Sequence, residues 1–169
     1  MFSYKIVVLG DFGVGKTSLV RRFVENSFDE EYLSSIGVTM SRKECIYKGI
    51  KSTMIIWDTE GRTEHSPIFK QYLLGAKAFI IVADLTRKET IEAIKEHTLL
   101  CQEMVCNASI YIALNKSDLE HTPVEHQSLR DLSLQIVSVY ETSAKSGDEV
   151  EEIFAHINTS VVESSNAKV

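Results

Sequence analysis

The run Gly10-Asp11-Phe12-Gly13-Val14-Gly15-Lys16-Thr17 constrains this chain more than any other stretch. It fits G-x-x-x-x-G-K-[ST], a loop whose backbone N–H groups wrap around phosphates, whose lysine reaches the β- and γ-phosphates, and whose hydroxyl ligates Mg2+. Glycine at these spacings lets the backbone turn back and approach an anion without a Cβ clash. The helix that follows offers unpaired N–H groups and the positive end of its dipole. Such a loop requires a strand before it and a helix after it. Tyr4–Leu9 is apolar and β-branched, and Leu19, Val20 and Phe23 recur at helical spacing, so both flanks are present.

With 169 residues, 44% of them hydrophobic, the chain reads as one domain over 1–163 with a full core, followed by a flexible polar tail over 164–169. A net charge of −6 argues against a nucleic-acid surface, which needs a basic face. Cys45, Cys101 and Cys106 lack both even number and metal-ligand spacing, which fits a reducing, intracellular compartment. No run approaches the roughly 18 apolar residues of a membrane span, and Met1-Phe2-Ser3 leads straight into the first strand without a signal peptide, so a soluble protein is expected.

The first helix is expected to end near Asn26, before a polar loop from Ser27 to Gly37. Val38–Tyr47 and Lys51–Trp57 predict an antiparallel pair joined at Lys48-Gly49. Ala78–Ala83 and Ile110–Leu114 are continuous apolar runs, the mark of parallel strands covered on both faces, and Ile136–Tyr140 predicts a last strand. Helices are expected before Gly75, over Lys88–Val105, from Pro123 to about Gln135, and at the end, where Val150, Ile153, Phe154, Ile157 and Val161 form one stripe. The fold class is therefore α/β: a doubly wound, mostly parallel six-stranded sheet with one antiparallel edge strand and helices on both faces. Ligands bind such sheets outside the carboxyl ends of the strands. The glycine loop, Asp58-Thr59-Glu60-Gly61, Asn115-Lys116-Ser117-Asp118 and Thr142-Ser143-Ala144-Lys145 all follow strands and so emerge on one rim.

Asp58 suits Mg2+ held through water, because this small cation keeps much of its hydration, while Thr17 supplies an oxygen directly. Gly61 lets a backbone N–H point at a terminal phosphate. Asn115 to Asp118 selects the base. Guanine presents two adjacent donors, N1–H and the 2-amino group, and the Asp118 carboxylate accepts both, a pair that adenine lacks. The Lys116 stem covers a base face, Asn115 ties neighbouring loops, Ala144 donates its N–H to the guanine O6, and Lys145 packs from the other side. Phe28 is either a hydrophobic anchor for its loop or an aromatic edge against the base. Ser35, taken alone, is an ordinary solvated serine.

These motifs, with Ser35-Ile36-Gly37-Val38, Trp57 to Gly61, Tyr72-Leu73-Leu74-Gly75-Ala76 and Asp84-Leu85-Thr86, resemble the Ras-like small GTPases, and within them the Rab branch, from Tyr4 to Phe154. The resemblance implies a P-loop GTPase that binds GTP or GDP with Mg2+ and signals to effectors, exchange factors and GTPase-activating proteins in membrane trafficking, in the cytoplasm or peripherally on membranes. It implies nucleotide contacts from Gly13, Val14, Gly15, Lys16, Thr17, Ser18, Phe28, Ser35, Gly61, Asn115, Lys116, Asp118, Ser143, Ala144 and Lys145. It further implies Thr17, Ser35 and, through water, Asp58 as metal ligands, Tyr32 folding over the phosphates, and Lys16 and Gly61 in catalysis. The loops around Ser35 and Gly61 would be the switches.

Three departures set expectations for chemistry. Arg62 stands where the family places its water-positioning glutamine, and arginine has no acceptor with which to orient water. Glu60 replaces an alanine, and Phe12 puts a ring beside the γ-phosphate, where it crowds any incoming arginine finger. Slow hydrolysis is expected, with Arg62 as a cis arginine finger the competing role. The alternative function is a non-cycling GTP-binding scaffold. A P-loop kinase would need an acceptor site and a lid that a chain this short hardly accommodates. The Rab branch carries prenylated C-terminal cysteines, whereas this sequence ends Asn166-Ala167-Lys168-Val169, which leaves membrane contact open.

Overall fold

The computed structural model describes residues 1–25, 33–35, 37–59 and 67–168. In chain order these give β1 (Phe2–Leu9), α1 (Lys16–Val24), β2 (Leu33–Ser35), β3 (Val38–Tyr47), β4 (Ile50–Thr59), α2 (Pro67–Leu73) and β5 (Ala76–Asp84). There follow α3 (Lys88–Glu92), α4 (Ile94–Met104), β6 (Ser109–Asn115), α5 (His126–Arg130), β7 (Ile136–Glu141) and α6 (Val150–Asn166). The strands form one sheet in the order β2-β3-β4-β1-β5-β6-β7. From β4 to β7 every pairing is parallel, while β3 runs antiparallel to both β4 and β2.

The doubly wound α/β sheet with its antiparallel edge is thus the expected one, lengthened by β2 at that edge. The rest of the loop between Ser27 and Gly37 lies largely outside the described residues. The β3–β4 hairpin closes through Lys48 and Gly49, both with positive φ (48° and 78°), as a two-residue turn matched to strand twist demands.

β1 is buried on both faces, so its alternate residues feed two cores. Ile6 and Val8 pack with Phe23 of α1 and Ile153 and Phe154 of α6. Val7 and Leu9 pack with Phe69 of α2, Ile94 of α4 and Leu129 of α5 on the other face. On the first face the Phe23 and Phe154 rings stack at 4.0 Å and lie 4° from parallel, which docks α1 on α6.

Three helices differ from their sequence expectation. The helix expected over Lys88–Val105 is divided at Ala93, yet the backbone there is helical and Ala93 O still accepts the His97 N–H at 3.1 Å, so its direction is retained. The helix expected from Pro123 to Gln135 is confined to α5. Beyond it the Ser133 hydroxyl accepts the Gln135 N–H at 3.0 Å, a side-chain bond that competes with helix propagation. α6 runs to Asn166, into the segment read as tail, and the Ser164 and Ser165 hydroxyls donate back to Val161 O at 3.0 and 2.8 Å. Among the described residues no helix is long and apolar enough to cross a membrane.

Candidate functional site

The parallel strands end on one rim, and there the loops after β1, β5, β6 and β7 meet the last residues of β4. Gly10 and Gly15 are required by this crowding. At Gly10 (φ 147°) a Cβ would run into the Val82 carbonyl of β5, and at Gly15 (φ 98°) into the side-chain amide of Asn115. Lys16, at the start of α1, is buried and donates from Nζ to Gly10 O at 2.6 Å and Asp11 O at 2.9 Å.

The next three carbonyls are each taken by a side chain from a different position on the rim. Arg87 Nη1 donates to Phe12 O at 2.9 Å, Lys116 Nζ to Gly13 O at 3.0 Å, and Asn115 Nδ2 to Val14 O at 3.0 Å. A trans peptide points its N–H opposite to its C=O. With these carbonyls turned outward, the amides of Gly13, Val14 and Gly15 face the concave side of the loop, which makes an anion cradle. α1 extends it: among the described residues no side chain caps Gly15 and no acid occupies the first turn, so the helix dipole and amides remain for a ligand.

At the edge of the cradle Thr17 Oγ1 donates to Asp58 Oδ2 at 2.6 Å. Asp58 is buried, and the neighbouring Thr59 hydroxyl anchors the strand end by donating to Val8 O at 2.8 Å. An alcohol and a carboxylate already in contact form an all-oxygen pair, the donor chemistry that Mg2+ takes and softer metals do not require. Thr17 and Asp58 therefore fit the ion.

Beyond Gly15 and Ser18 opens a cleft of about 560 Å³ lined by Asn115, Lys116, Asp118, Leu119, Ala144 and Lys145, and also by Arg21 and Arg22 of α1 and Glu25 just after it. Its floor is a hydrogen-bonded junction. Asn115 Oδ1 accepts from Thr142 Oγ1 and from the Ala144 N–H, each at 3.2 Å, while Asn115 Nδ2 reaches the glycine loop. Asn115 therefore ties three loops, as its position in the sequence suggested. The Ala144 N–H, expected to serve a base oxygen, is held by Asn115 in this structure. Ser143 Oγ donates to Asp118 Oδ1 at 2.7 Å and fixes the carboxylate at the cleft.

Lys116 has φ 66°, and its ammonium forms an ion pair with Asp84 Oδ2 at 2.7 Å. Burial alone would raise the Asp84 carboxyl, but the Lys116 ammonium and the Thr86 hydroxyl and amide outweigh it and hold the group below the usual carboxylate range. Asp84 belongs to the Asp84-Leu85-Thr86 framework, but nothing in that run signals its charge partner. Arg87, His97, Arg21 and Arg22 carry no sequence signal either. Of the expected site residues, Gly13, Val14, Gly15, Lys16, Thr17, Ser18, Asp58, Asn115, Lys116, Asp118, Ser143, Ala144 and Lys145 gather on this rim. Phe28, Tyr32, Glu60, Gly61 and Arg62 lie outside the described residues, as does the side chain of Ser35.

The Ras family model matches residues 5–163. The chain is 36% identical over 157 residues to the Homo sapiens Ras-related protein Rab-22A, covering 91% of this chain and 81% of that one. It is 36% identical over 156 residues to the Homo sapiens Ras-related protein Rab-30, with 90% and 77% covered. Over 152 residues it is 34% identical to the Saccharomyces cerevisiae Ras-related protein SEC4, with 89% and 71% covered.

Proposed function

The chain belongs to the Ras family and is related to its Rab proteins, and from that premise we propose that it is a guanine-nucleotide switch binding GTP and GDP with Mg2+ and hydrolysing GTP slowly. The observation that carries this is the outward pinning of the Phe12, Gly13 and Val14 carbonyls by Arg87, Lys116 and Asn115, which leaves a row of amides facing the space where phosphates would lie.

The diphosphate would sit on those amides and the α1 N-terminus, with Lys16 beside it. The base would enter the 560 Å³ cleft against Asp118, between Lys116 and Lys145, with Phe28 at its edge. Thr17, Ser35 and Asp58, the last through water, would hold Mg2+, which neutralises charge on the phosphate oxygens. Gly61 would turn its N–H to the terminal phosphate. Loops carrying Ser35 and Gly61 would order around that phosphate and present altered surfaces to effectors, exchange factors and GTPase-activating proteins, in membrane trafficking and from a peripheral position on membranes.

Slow turnover follows from Phe12 and Arg62. Phe12 is 60% exposed at the lip of the loop, where a ring obstructs a residue entering from a partner. The exposed ring also favours a second function, a scaffold that binds GTP without cycling. Two measurements decide. Nucleotide retained by the purified protein, read by chromatography, is expected to be GDP or GTP, and an apo or adenine-loaded protein refutes the assignment. Single-turnover hydrolysis is expected to be slow and to rise by about tenfold or more in Arg62→Gln combined with Phe12→Ser. Fast wild-type turnover abolished by Arg62→Ala would make Arg62 a finger instead, and no turnover in any variant would favour the scaffold.

A further inference from the structure

The residues that hold the glycine loop are not all in recognisable motifs. Asn115 and Lys116 belong to the base-selecting run, whereas Arg87 and His97 belong to none. His97, on α4, is only 5% exposed, and its Nε2 lies 2.9 Å from Asp11 Oδ1. The Asp11 carbonyl in turn accepts Lys16 Nζ at 2.9 Å. One residue of the loop is thus gripped by its side chain on one side and grips the phosphate-directed lysine on the other. Arg87, at the start of α3, pairs through Nε with Glu89 at 3.2 Å, which fixes the plane of the guanidinium, and donates from Nη1 to Phe12 O.

We propose that Arg87 and His97 are positioning residues of the phosphate cradle, holding Asp11 and Phe12 so that Lys16 and the inward amides keep the spacing a nucleoside diphosphate needs. Neither touches the ligand, and both act through the loop. The inference rests on the guanine-nucleotide assignment above, and it makes the α3–α4 segment, which carries none of the nucleotide-binding motifs, a determinant of how long nucleotide stays bound. Loss of the Arg87 grip frees the Phe12–Gly13 peptide to rotate, turning a carbonyl rather than an N–H toward the anion, and loss of the His97 grip frees Asp11, whose carbonyl holds Lys16.

Release of a fluorescent GDP analogue from the Mg2+-loaded protein tests this. His97→Phe keeps a ring but no donor, and Arg87→Met keeps length but no charge. Each is expected to release the analogue about tenfold faster, the loss of one hydrogen bond to a charged group. His97→Gln restores an N–H near the Nε2 position without the ring, and Arg87→Lys restores a cationic donor. Both are expected to return within about threefold of wild type, whatever their melting temperatures, since Gln does not replace ring packing. Wild-type release in His97→Phe and Arg87→Met overturns the positioning role, as does faster release that Gln and Lys fail to rescue. A wild-type protein that binds no guanine nucleotide overturns the underlying assignment and this role with it, so the two failures are told apart.

Discussion

Replacing Asp84 by Asn removes one negative charge and little else. Asp84 is 1% exposed, its Oδ1 accepts from the Thr86 N–H at 2.9 Å and the Thr86 hydroxyl at 2.7 Å, and its Oδ2 faces the Lys116 ammonium at 2.7 Å. The amide keeps an acceptor for Thr86 but offers Lys116 no opposite charge. Hydrogen bonds to charged groups are worth about 1.5–3 kcal/mol. A third of the Lys116 side chain is exposed, so solvent screening favours the lower part of that range, about 1.5–2 kcal/mol. At roughly 2–4 °C per kcal/mol for a domain of this size, the melting temperature should fall by about 3–8 °C.

The sign of its pH dependence follows from the depressed Asp84 carboxyl. Its contribution is complete above the unfolded value of about 3.9 and is lost as pH falls through the lower folded value, so the gap between wild type and Asp84→Asn should narrow from pH 5 to pH 3. Urea denaturation of nucleotide-free protein, in a double-mutant cycle with Lys116→Met, measures the pair directly. A coupling indistinguishable from zero, or a gap that stays constant down to pH 3, would refute the assignment of Asp84 as the counter-charge of Lys116.

Gly15→Ala should lower GDP affinity by about a hundredfold or more, since the new methyl meets the Asn115 amide and the backbone sits at φ 98°, and isothermal calorimetry reads that loss. If Asp118 takes both guanine donors, inosine diphosphate, which lacks the 2-amino group, should bind about tenfold more weakly than GDP. Asp118→Ala should erase that preference in a competition assay.

The glycine loop, its flanking strand and helix, and the two apolar central strands were legible because each carries its signal locally. β2 was not, because three residues are too few to show a side-chain period. The shortness of α5 was hidden for a different reason: Val124 and Leu132 reach the same core as Leu129 from outside the helix, so their apolar spacing reads as a longer helix than the chain forms. Within the site, Asn115 could be read as a tie between loops because its motif prescribes it. Asp84, Arg87 and His97 could not, because an aspartate after a strand, an arginine before a helix and a histidine on a helix each have ordinary local uses. Only the approach of β5 and α4 to the glycine loop gives them a common task.

The stacked rings of Phe23 and Phe154 have a consequence for biosynthesis. The two residues come from opposite ends of the chain, and Tyr4 and Asn158 repeat the pairing through a 2.8 Å hydrogen bond. The helix that opens the phosphate cradle therefore lacks its packing partner while most of the polypeptide is already emerging from the ribosome. A nascent chain arrested before Phe154 would display a complete glycine loop on a helix packed against the sheet but not yet against α6, so firm nucleotide capture should await translation of α6.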